Sequence, residues 1–528
     1  MLFNSYVFIF VFFPIVFFGF FRIGKYSHAL ASLWLAAASL FFYGWWDVRF
    51  VELLLGSIVF NYAAGYSIGH RVARQPASQS KLLLTAAITA NLILLGYFKY
   101  ANFFAENLNH LTGVSLPMGQ AILPLGISFF TFTQIAFLVD TYQGKVKEFN
   151  FVHYILFVSY FPHLIAGPIL HHKEMMPQFA KRNVCRLSWE NAAVGLTIFV
   201  LGLAKKVLIA DSLADIATPI FSAVATGGQP MLLEAWIGAL AYTLQLYFDF
   251  SAYSDMAIGM SLMFNVRLPR NFDSPYKATS IIDFWHRWHM TLSRFLRDYL
   301  YIPLGGNRKG KFRRYINLTA TMLLGGLWHG AGWTFVMWGG LHGFYLMLNH
   351  SWRRFKEIMG WGESGRIAKL GAGALTFLAV VVGWVFFRAD SFTSAMSMLH
   401  GMAGMNGMSL PPSLEAQFGQ FLARYDWIIF KDANFHPEKA KFFLGWGFAI
   451  VWLLPNLGQW FRTYRPTCED LQENRLTVGL TSASTPRTLP FRFIKWQPTA
   501  IYAILFSILF YYCIYSMTQV SEFIYFQF

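Results

Sequence analysis

Charged side chains are unusually scarce in this sequence of 528 residues. Asp, Glu, Lys and Arg together make up 13% of the chain, whereas hydrophobic residues make up 56% and aromatic residues 19%. A soluble domain is normally about a quarter charged, so the chain lacks the polar surface that a soluble globular protein requires. Cysteine is nearly absent as well, and three scattered cysteines without metal-ligand spacing argue against a disulfide framework. We therefore expect a membrane protein with structural cysteines.

Apolar stretches of membrane-spanning length recur from one end of the chain to the other. Only helices or closed barrels satisfy their backbone hydrogen bonds in lipid, and these stretches do not alternate as barrel strands do. With roughly 20 apolar residues needed for each span, they predict an all-α polytopic protein of about ten or eleven transmembrane helices, with re-entrant and amphipathic helices besides. The candidates are Tyr6–Phe21, His28–Trp46, Val51–Ile68, Leu82–Tyr97, Leu123–Val139, Phe151–Ile165, Ala192–Ile209, Ala235–Phe264, Ile316–Leu327, Phe335–Leu348, Leu370–Phe387, Phe442–Trp460 and Ala500–Tyr515.

The positive charge is distributed as membrane topology requires. The formal net charge is +16, but the lysines and arginines lie between the apolar stretches, which does not favour a nucleic-acid-binding surface. Such residues concentrate on the cytoplasmic side of membrane proteins. Arg22 and Lys25 follow the first stretch, and Arg71, Arg74 and Lys81 follow the third, two crossings later. Both groups can be cytoplasmic, which predicts an N-terminus on the outside.

The stretch 245–345 differs from its flanks because ionisable and aromatic residues are interleaved in it and paired glycines occur. Polar residues at membrane depth are costly and usually functional. We interpret residues 1–528 as one membrane domain whose motif-rich core is this stretch. The connections 388–441 and 463–497 are long and polar enough to be surface loops.

Residues 282–301 predict one amphipathic helix. At about 100° per residue its aromatic side chains share one face and its cations the other, with His289 at the boundary. An interfacial helix on the membrane surface explains this pattern. A helix lining a polar cavity explains it as well, with cations facing an anionic substrate. Candidate binding residues on this helix are Arg287, Trp288 and Arg297.

A compact cluster of cations follows, with five Lys and Arg residues between Arg308 and Arg314. Positive-inside topology or contact with anionic lipid headgroups explains such a cluster. Alternatively, it receives the phosphates of a donor such as coenzyme A, for which the planar guanidinium of arginine is suited. Candidate donor-binding residues here are Asn307, Arg308 and Lys309.

His329 lies in an apolar, glycine-rich segment between Trp328 and Gly330. A single buried histidine is more often part of the core than a catalyst, but histidine at membrane depth is rare and marks relays. A neutral imidazole there could deprotonate a hydroxyl group. The flanking glycines would let a ligand approach closely.

A metal site is not expected from the histidines. His286 and His289 are three residues apart and could join His329, but no carboxylate or cysteine accompanies them at metal-ligand spacing. The pair His171 and His172 is expected on the surface of a loop.

Three further polar residues, Gln245, Asp249 and Asp255, lie within an apolar stretch. Gln245 and Asp249 are four positions apart and share one helix face. Hydrogen bonding between helices explains them. Alternatively, they orient a substrate hydroxyl or pair with the arginines of 282–301.

Taken in order, the motifs resemble the membrane-bound O-acyltransferase family, and in particular its branch of alginate O-acetylation proteins and the D-alanyl transfer protein of teichoic acids. The resemblance runs from Phe3 to Phe528, and the motifs show no departure from the family pattern. They are Gly96–Asn102 (GYFKYAN), Phe161–Pro168 (FPHLIAGP), Gln245–Asp255 (QLYFDFSAYSD), Asn271–Phe272 (NF), Arg287–His289 (RWH) with Ser293 shortly after, Asp298–Ile302 (DYLYI), Leu304–Asn307 (LGGN) and Gly326–Gly330 (GLWHG).

The resemblance implies a ring of transmembrane helices around a central funnel that reaches the catalytic histidine. It maps the family's histidine of the Trp-His-Gly motif onto His329 and the histidine of the Arg-Trp-His motif onto His289. His329 would act as general base on the acceptor hydroxyl, between walls such as Trp328, and His289 would orient or assist it. No bound cofactor or metal is implied, and acetyl-CoA is the expected co-substrate.

The resemblance also implies partners and a location. We expect an integral protein of a bacterial cytoplasmic (inner) membrane that passes an acetyl group to an extracytoplasmic acetyl-receiving transferase protein. The final acceptor would be an exported polysaccharide such as alginate or cellulose. The alternatives are transfer of D-alanine or of a fatty-acyl chain by the same fold, and a transporter or export channel without chemistry.

Overall fold

Helices make up most of the computed structural model. The residues it describes are 1–72, 77–114, 119, 122–165, 167–308, 310–362, 365–410, 412–415, 427–430, 435–470, 496–517 and 523–524. The helices of the first third are α1 (Phe13–Gly24), α2 (His28–Gly44), α3 (Arg49–Val72), α4 (Ala77–Leu95), α5 (Ala101–Thr112), α6 (Ile127–Tyr142), α7 (Phe151–Ser159), α8 (Phe161–Leu164) and α9 (His172–Phe179).

The central and C-terminal parts continue the helical pattern. Their helices are α10 (Trp189–Ala204), α11 (Asp211–Ala225), α12 (Leu232–Met263), α13 (Ile281–Arg287), α14 (Met290–Leu296), α15 (Lys311–His329), α16 (Trp333–Ile358), α17 (Arg366–Arg388), α18 (Phe392–Met402), α19 (Pro437–Leu453), α20 (Leu457–Trp460) and α21 (Ala500–Ser516). Single π-helical turns cover Phe8–Phe12, Gly96–Tyr100, Lys205–Ala210 and Arg297–Tyr301. The predicted helical class is confirmed.

Within the described residues, four helical stretches are long and apolar enough to cross a membrane. They are Arg49–Val72, Ser78–Thr112, Trp189–Ala225 and Arg366–Arg388. Three shorter apolar helices cover Phe8–Gly24, His28–Gly44 and Ala500–Ser516. Together with the scarcity of charge, these helices indicate an integral membrane protein. The count of about ten or eleven crossings and the central funnel stay predictions.

Local sequence explains where several helices begin. The side chains of Ser27, Ser188 and Ser280 precede α2, α10 and α13, and each accepts a hydrogen bond from the backbone N–H three residues later. Such capping satisfies N–H groups that have no partner within the helix. The beginning of α13 matters most for function, because that helix leads directly into the predicted site.

Helix α12 forms the centre of the fold, and nearly every side chain in its second half is buried. Helix α10 packs directly against it. A Cβ atom on Gly195 would overlap the carbonyl oxygen of Gly259, and a Cβ atom on Gly259 would overlap that of Gly195. Small residues allow this backbone-to-backbone approach between membrane helices. The contact places Lys205 and Lys206, which follow α10, beside the carboxylates of α12.

The single helix predicted over 282–301 is interrupted, so that prediction is wrong. Helix α13 ends at Arg287, α14 begins at Met290, and Arg297–Tyr301 forms a π-helical turn. Between α13 and α14, the backbone of His289 adopts the left-handed conformation, with φ of +42°. The hydrophobic periodicity continues across the break, and neither glycine nor proline marks it. The apolar residues of this region are nevertheless buried: Phe284, Trp285, Trp288, Leu292, Phe295 and Leu296.

The prediction of a surface loop over 388–441 is wrong for Phe392–Met402, which forms α18. Helix α18 packs against α12 and buries Ala395 and Met398. Strand β1 (Met408–Leu410) then pairs in parallel with β2 (Ile428–Phe430). Most of the second predicted loop, 463–497, lies outside the described residues, which omit 471–495.

Candidate active site

His289 lies at the break between α13 and α14 and is completely buried. A left-handed backbone at a residue other than glycine costs about 1–3 kcal/mol and persists only where the surroundings enforce it. Two backbone hydrogen bonds hold the chain on either side. The N–H of Asp273 donates to the carbonyl of Arg287, and that of Met290 donates to the carbonyl of Asn271, both at 2.9 Å. The break therefore turns His289 into the interior, away from the boundary position that a continuous helix predicts.

The side-chain amide of Asn271 is fixed beside His289. Its oxygen accepts hydrogen bonds from the hydroxyl of Thr291 at 2.9 Å and from the backbone N–H of Thr291 at 3.4 Å. The same oxygen lies 3.0 Å from Nδ1 of His289. The amide nitrogen donates to the hydroxyl of Ser254 at 3.3 Å. Asn271 belongs to one of the sequence motifs, but nothing in the sequence indicates this contact.

His329 is the last residue of α15, and only 3% of its surface is exposed. Three rings surround it edge-on, with centroids at 4.9 Å for Trp328, 5.1 Å for Trp338 and 5.2 Å for Phe387. The ring of His289 lies 6.4 Å away, centroid to centroid. The structure therefore brings the two predicted catalytic histidines together inside an aromatic enclosure. Their catalytic roles stay predictions.

Several buried N–H groups near His329 have no acceptor among the described residues. They include Nε1 of Trp328 and of Trp338. Nδ1 of the fully buried His342 accepts a hydrogen bond from Nε1 of Trp285 at 3.3 Å, and Nε2 of His342 has no partner within the described part of the chain. Buried polar groups without partners are rare in proteins and call for a functional or structural explanation.

Two residues outside 245–345 hold the end of α15 that carries His329. Nζ of Lys99 donates to the carbonyl oxygens of Trp328 at 2.6 Å and of His329 at 3.2 Å. The hydroxyl of Tyr100 donates to the carbonyl of Leu327 at 2.9 Å. The last carbonyls of a helix lack partners within it, and a cation there complements the helix dipole. The signal for this role in the sequence is a lysine directly after an apolar stretch.

The glycines beside His329 serve the packing of α15 against α16. A Cβ atom on Gly326 would overlap the backbone of Phe335, and one on Gly330 would overlap the ring of Phe335. The space beside Gly330, which the sequence predicts for a ligand, is therefore filled by the protein itself. The close approach brings Trp338 of α16 within contact of His329.

The carboxylates of α12 are paired with lysines. Nζ of Lys206 lies 2.7 Å from Asp249, and Nζ of Lys205 lies 2.6 Å from Asp255. Asp249 also accepts a hydrogen bond from the backbone N–H of Ile524 at 3.0 Å. The alternative in which these carboxylates pair with the arginines of 282–301 is therefore wrong. Opposite charges on neighbouring helices explain their burial.

The arginines of 282–301 have other partners. Nε of Arg287 lies 2.8 Å from Asp283, one turn earlier on α13. Nε of Arg297 lies 2.7 Å from the adjacent Asp298, and the arginine side chain is 61% exposed. Neither residue lies against the enclosure around His329, so the structure does not group them with the two histidines.

The remaining predicted binding residues are buried, exposed or outside the described part of the chain. Trp288 and Gln245 are buried, and the ring of Trp288 packs on Trp384 at 4.9 Å. Asn307 and Arg308 are exposed at the far end of α15 from His329. Lys309 lies outside the described residues.

His171 and His172, predicted on a loop surface, are buried instead. Nδ1 of His172 lies 3.1 Å from the carboxylate of Asp140, and the hydroxyl of Tyr299 donates to the same carboxylate at 2.9 Å. Nδ1 of His171 lies 3.0 Å from that hydroxyl. The prediction is wrong because partners on α6 and on the turn after α14 satisfy these imidazoles in the interior.

A cavity of about 520 Å³ lies between α10, α12 and α19. Its wall is mainly apolar, with a polar side that includes Lys205, Asp255, Ser254 and Asn271. Asn271 therefore borders both the cavity and His289.

Comparison with known proteins now places these features in a family. The model of the membrane-bound O-acyltransferase family matches residues 77–389, which is more than half of the chain and includes both histidines. The chain belongs to the membrane-bound O-acyltransferase family. It is therefore an acyltransferase, and the resemblance found in the sequence motifs is confirmed.

Three relatives are similar to this acyltransferase over different shares of its length. It is 46% identical over 455 residues to a peptidoglycan O-acetyltransferase of Helicobacter pylori, which covers 80% of the chain and 84% of the relative. It is 44% identical over 407 residues to a probable alginate O-acetylase of Pseudomonas aeruginosa, with 76% and 75% covered. A teichoic acid D-alanyltransferase of Streptococcus thermophilus is 29% identical over 246 residues, with 44% and 59% covered.

Proposed function

We propose that this acyltransferase passes an acetyl group from acetyl-CoA across the membrane for the O-acetylation of an exported polysaccharide. The observation that carries the proposal is the meeting of two buried histidines, His289 and His329, with ring centroids 6.4 Å apart inside an aromatic enclosure. Support for the acetyl group comes from the relatives at 46% and 44% identity, whose names specify O-acetylation. Alginate, cellulose and the glycan of peptidoglycan are the acceptors to test.

The reaction needs a base for the acceptor hydroxyl, and His329 suits this role. Its imidazole takes the hydroxyl proton while the oxygen attacks the carbonyl carbon of the thioester. The carbon–sulfur bond then breaks, and the departing thiolate receives the proton from His329. His289 assists on the other side of the reacting group. Water is kept from the reaction because the rings of Trp328, Trp338 and Phe387 close around His329.

The carbonyl oxygen gains negative charge as the hydroxyl attacks, and it needs hydrogen-bond donors that are already in place. The indole N–H groups of Trp328 and Trp338 suit this task, because they are buried beside His329 and have no acceptor among the described residues. Donors buried in an apolar site interact more strongly with a developing charge than donors in water do.

The exposed cations at the beginning of α15 suit the phosphates of coenzyme A. Arg308, Lys311 and Arg313 are exposed, whereas Arg314 lies 2.7 Å from the ring of His350. Helix α15 begins at Lys311 of this cluster and ends at His329, and its 19 residues correspond to about 28 Å. A donor whose phosphates bind at the cluster would extend its flexible thiol arm along this helix towards the histidine while its headgroup stays in the cytoplasm.

The charge distribution supports a direction of transfer from the cytoplasm outwards. With the cationic segments cytoplasmic, the N-terminus lies outside, and the acetyl group leaves the site towards an extracytoplasmic receiving protein of a bacterial inner membrane.

The second candidate function is D-alanyl transfer, which the named D-alanyltransferase at 29% identity favours. None of the three relatives described above is named as a fatty-acyltransferase. Family membership argues against a channel without chemistry.

A donor panel tests the proposal. The purified protein in lipid vesicles is given acetyl-CoA, palmitoyl-CoA or a D-alanyl carrier protein, with acceptor glycan, and release of free thiol is followed. Consumption of acetyl-CoA alone, abolished by His329→Ala at equal protein level, is expected. Selective consumption of the D-alanyl carrier would replace the acetyl assignment, and equal thiol release by His329→Ala would remove the histidine from the mechanism.

A further inference from the structure

Asn271 is the side chain that contacts Nδ1 of His289, and the atoms around it fix which way its amide points. The backbone N–H of Thr291 can only donate a hydrogen bond, and it lies 3.4 Å from one end of the amide. That end must therefore be the oxygen, because the NH₂ group would place two donors against each other. The hydroxyl of Thr291 accepts from the N–H of Ile169 at 3.0 Å, which leaves its own hydrogen to donate to the same oxygen at 2.9 Å.

The orientation of the amide decides the protonation of His289. Nδ1 of His289 lies 3.0 Å from an atom that can only accept, so Nδ1 must carry the proton. In a neutral imidazole only one nitrogen is protonated, and Nε2 therefore has a lone pair and no hydrogen. At Nε2, His289 can accept a proton or a hydrogen bond and cannot donate one.

We propose that Asn271 is a positioning residue for acyl transfer, which holds His289 in the tautomer whose Nε2 is the acceptor. Asn271 acts through His289. The side chain is 1% exposed and its other end contacts Ser254. If the amide turned over, its NH₂ group would face the backbone N–H of Thr291, so this donor holds the oxygen in place. This role rests on the proposed function. It specifies how His289 assists the reaction: its Nε2 accepts a proton or a hydrogen bond.

The backbone of Asn271 and its side chain do separate tasks. Its carbonyl oxygen accepts the hydrogen bond from the N–H of Met290 at 2.9 Å, which supports the strained turn at His289. That bond survives any change of side chain. A substitution at Asn271 therefore tests the tautomer without removing the backbone support of the turn.

The experiment compares two substitutions of nearly equal size. Asn271→Leu fills the same space without an acceptor, whereas Asn271→Asp retains an acceptor oxygen. Asn271→Leu is expected to lower kcat on the order of 10- to 100-fold with KM for the donor unchanged, the range seen when a partner that orients a functional histidine is lost. Asn271→Asp is expected to retain most of the turnover of the unsubstituted protein. A merely structural role would lower the amount of folded protein and leave the turnover of that folded protein unchanged.

A matched control and a double variant complete the test. Ser254→Ala removes only the anchor of the amide nitrogen and should lower kcat by less than Asn271→Leu. Adding Asn271→Leu to His289→Ala should cost no further activity, because residues that act through one another are not additive. The assay uses whichever thioester of the panel (acetyl-CoA, palmitoyl-CoA or the D-alanyl carrier) the unsubstituted protein consumes, so a wrong donor assignment leaves the test intact. Wild-type kcat in Asn271→Leu, or equal losses in the Leu and Asp variants, would overturn the inference.

Discussion

Two sets of polar side chains lie in the interior of this membrane protein, and their surroundings differ. Asp249 and Asp255 each face a lysine at 2.7 and 2.6 Å, so their charges are balanced by neighbours on the adjoining segment. His289 and His329 lie among aromatic rings, with contacts that orient them. A balanced charge holds helices together, whereas an oriented neutral imidazole keeps the capacity to move a proton.

The comparison predicts opposite consequences of substitution in the two sets. Changes at the histidines should reduce turnover and leave stability nearly unchanged. Changes at the ion pairs should reduce stability and leave the turnover of the folded fraction nearly unchanged. The experiments on His329 and Lys206 below measure both quantities on the same variant.

The largest effect is expected for His329→Gln. Loss of a general base typically lowers the rate by about 10²- to 10⁴-fold, and glutamine retains hydrogen-bonding capacity in the enclosure of rings. Acetyl content of the polymer, measured in cells that produce the variant at normal level, should fall accordingly, while the melting temperature in detergent stays near that of the unsubstituted protein. Normal acetylation at normal protein level would mean that His329 has a structural role and not a catalytic one.

Part of this division could be predicted from the sequence. The Trp-His-Gly and Arg-Trp-His motifs identify both histidines, and the apolar context of Asp249 and Asp255 predicts their burial. The partners could not be predicted, because Lys205 and Lys206 lie on a different segment of the chain. Two adjacent lysines in an apolar stretch are, however, a signal that two acidic partners are needed.

The geometry around His289 was beyond prediction for another reason. Hydrophobic periodicity describes faces of a continuous helix, and 282–301 keeps its pattern across a break that no glycine or proline announces. The left-handed backbone of His289 depends on hydrogen bonds from the distant segment that contains Asn271. Likewise, the support of α15 by Lys99 depends on tertiary contacts that the motif Gly96–Asn102 does not specify.

The second effect is expected for Lys206→Met, which leaves the buried carboxylate of Asp249 without its lysine. Removing one partner of a buried ion pair costs about 3–5 kcal/mol, so the melting temperature should fall clearly, while kcat of the remaining folded protein is retained. The double variant Lys206→Met/Asp249→Leu should recover much of the loss, since Asp249 then leaves no buried carboxylate behind and the second partner of Lys206, Asp211, is partly exposed. A lower kcat with an unchanged melting temperature would place this pair in the active site.

The smallest effect is expected at the exposed cations at the beginning of α15. Arg308→Gln/Arg313→Gln removes two charges that the proposal assigns to the donor phosphates, and exposed ion pairs contribute about 0.2–1 kcal/mol each. KM for acetyl-CoA should therefore rise on the order of two- to tenfold with kcat unchanged, and salt should shrink the difference because it screens exposed charges. The matched control Arg22→Gln/Lys25→Gln removes the same charge from another exposed segment and should leave KM unaltered. An equal rise in KM for both variants would mean that the net charge of the protein attracts the donor and that the cluster is not a binding site. The comparison between histidines and ion pairs would still hold, but the donor would then have to reach His329 by another path.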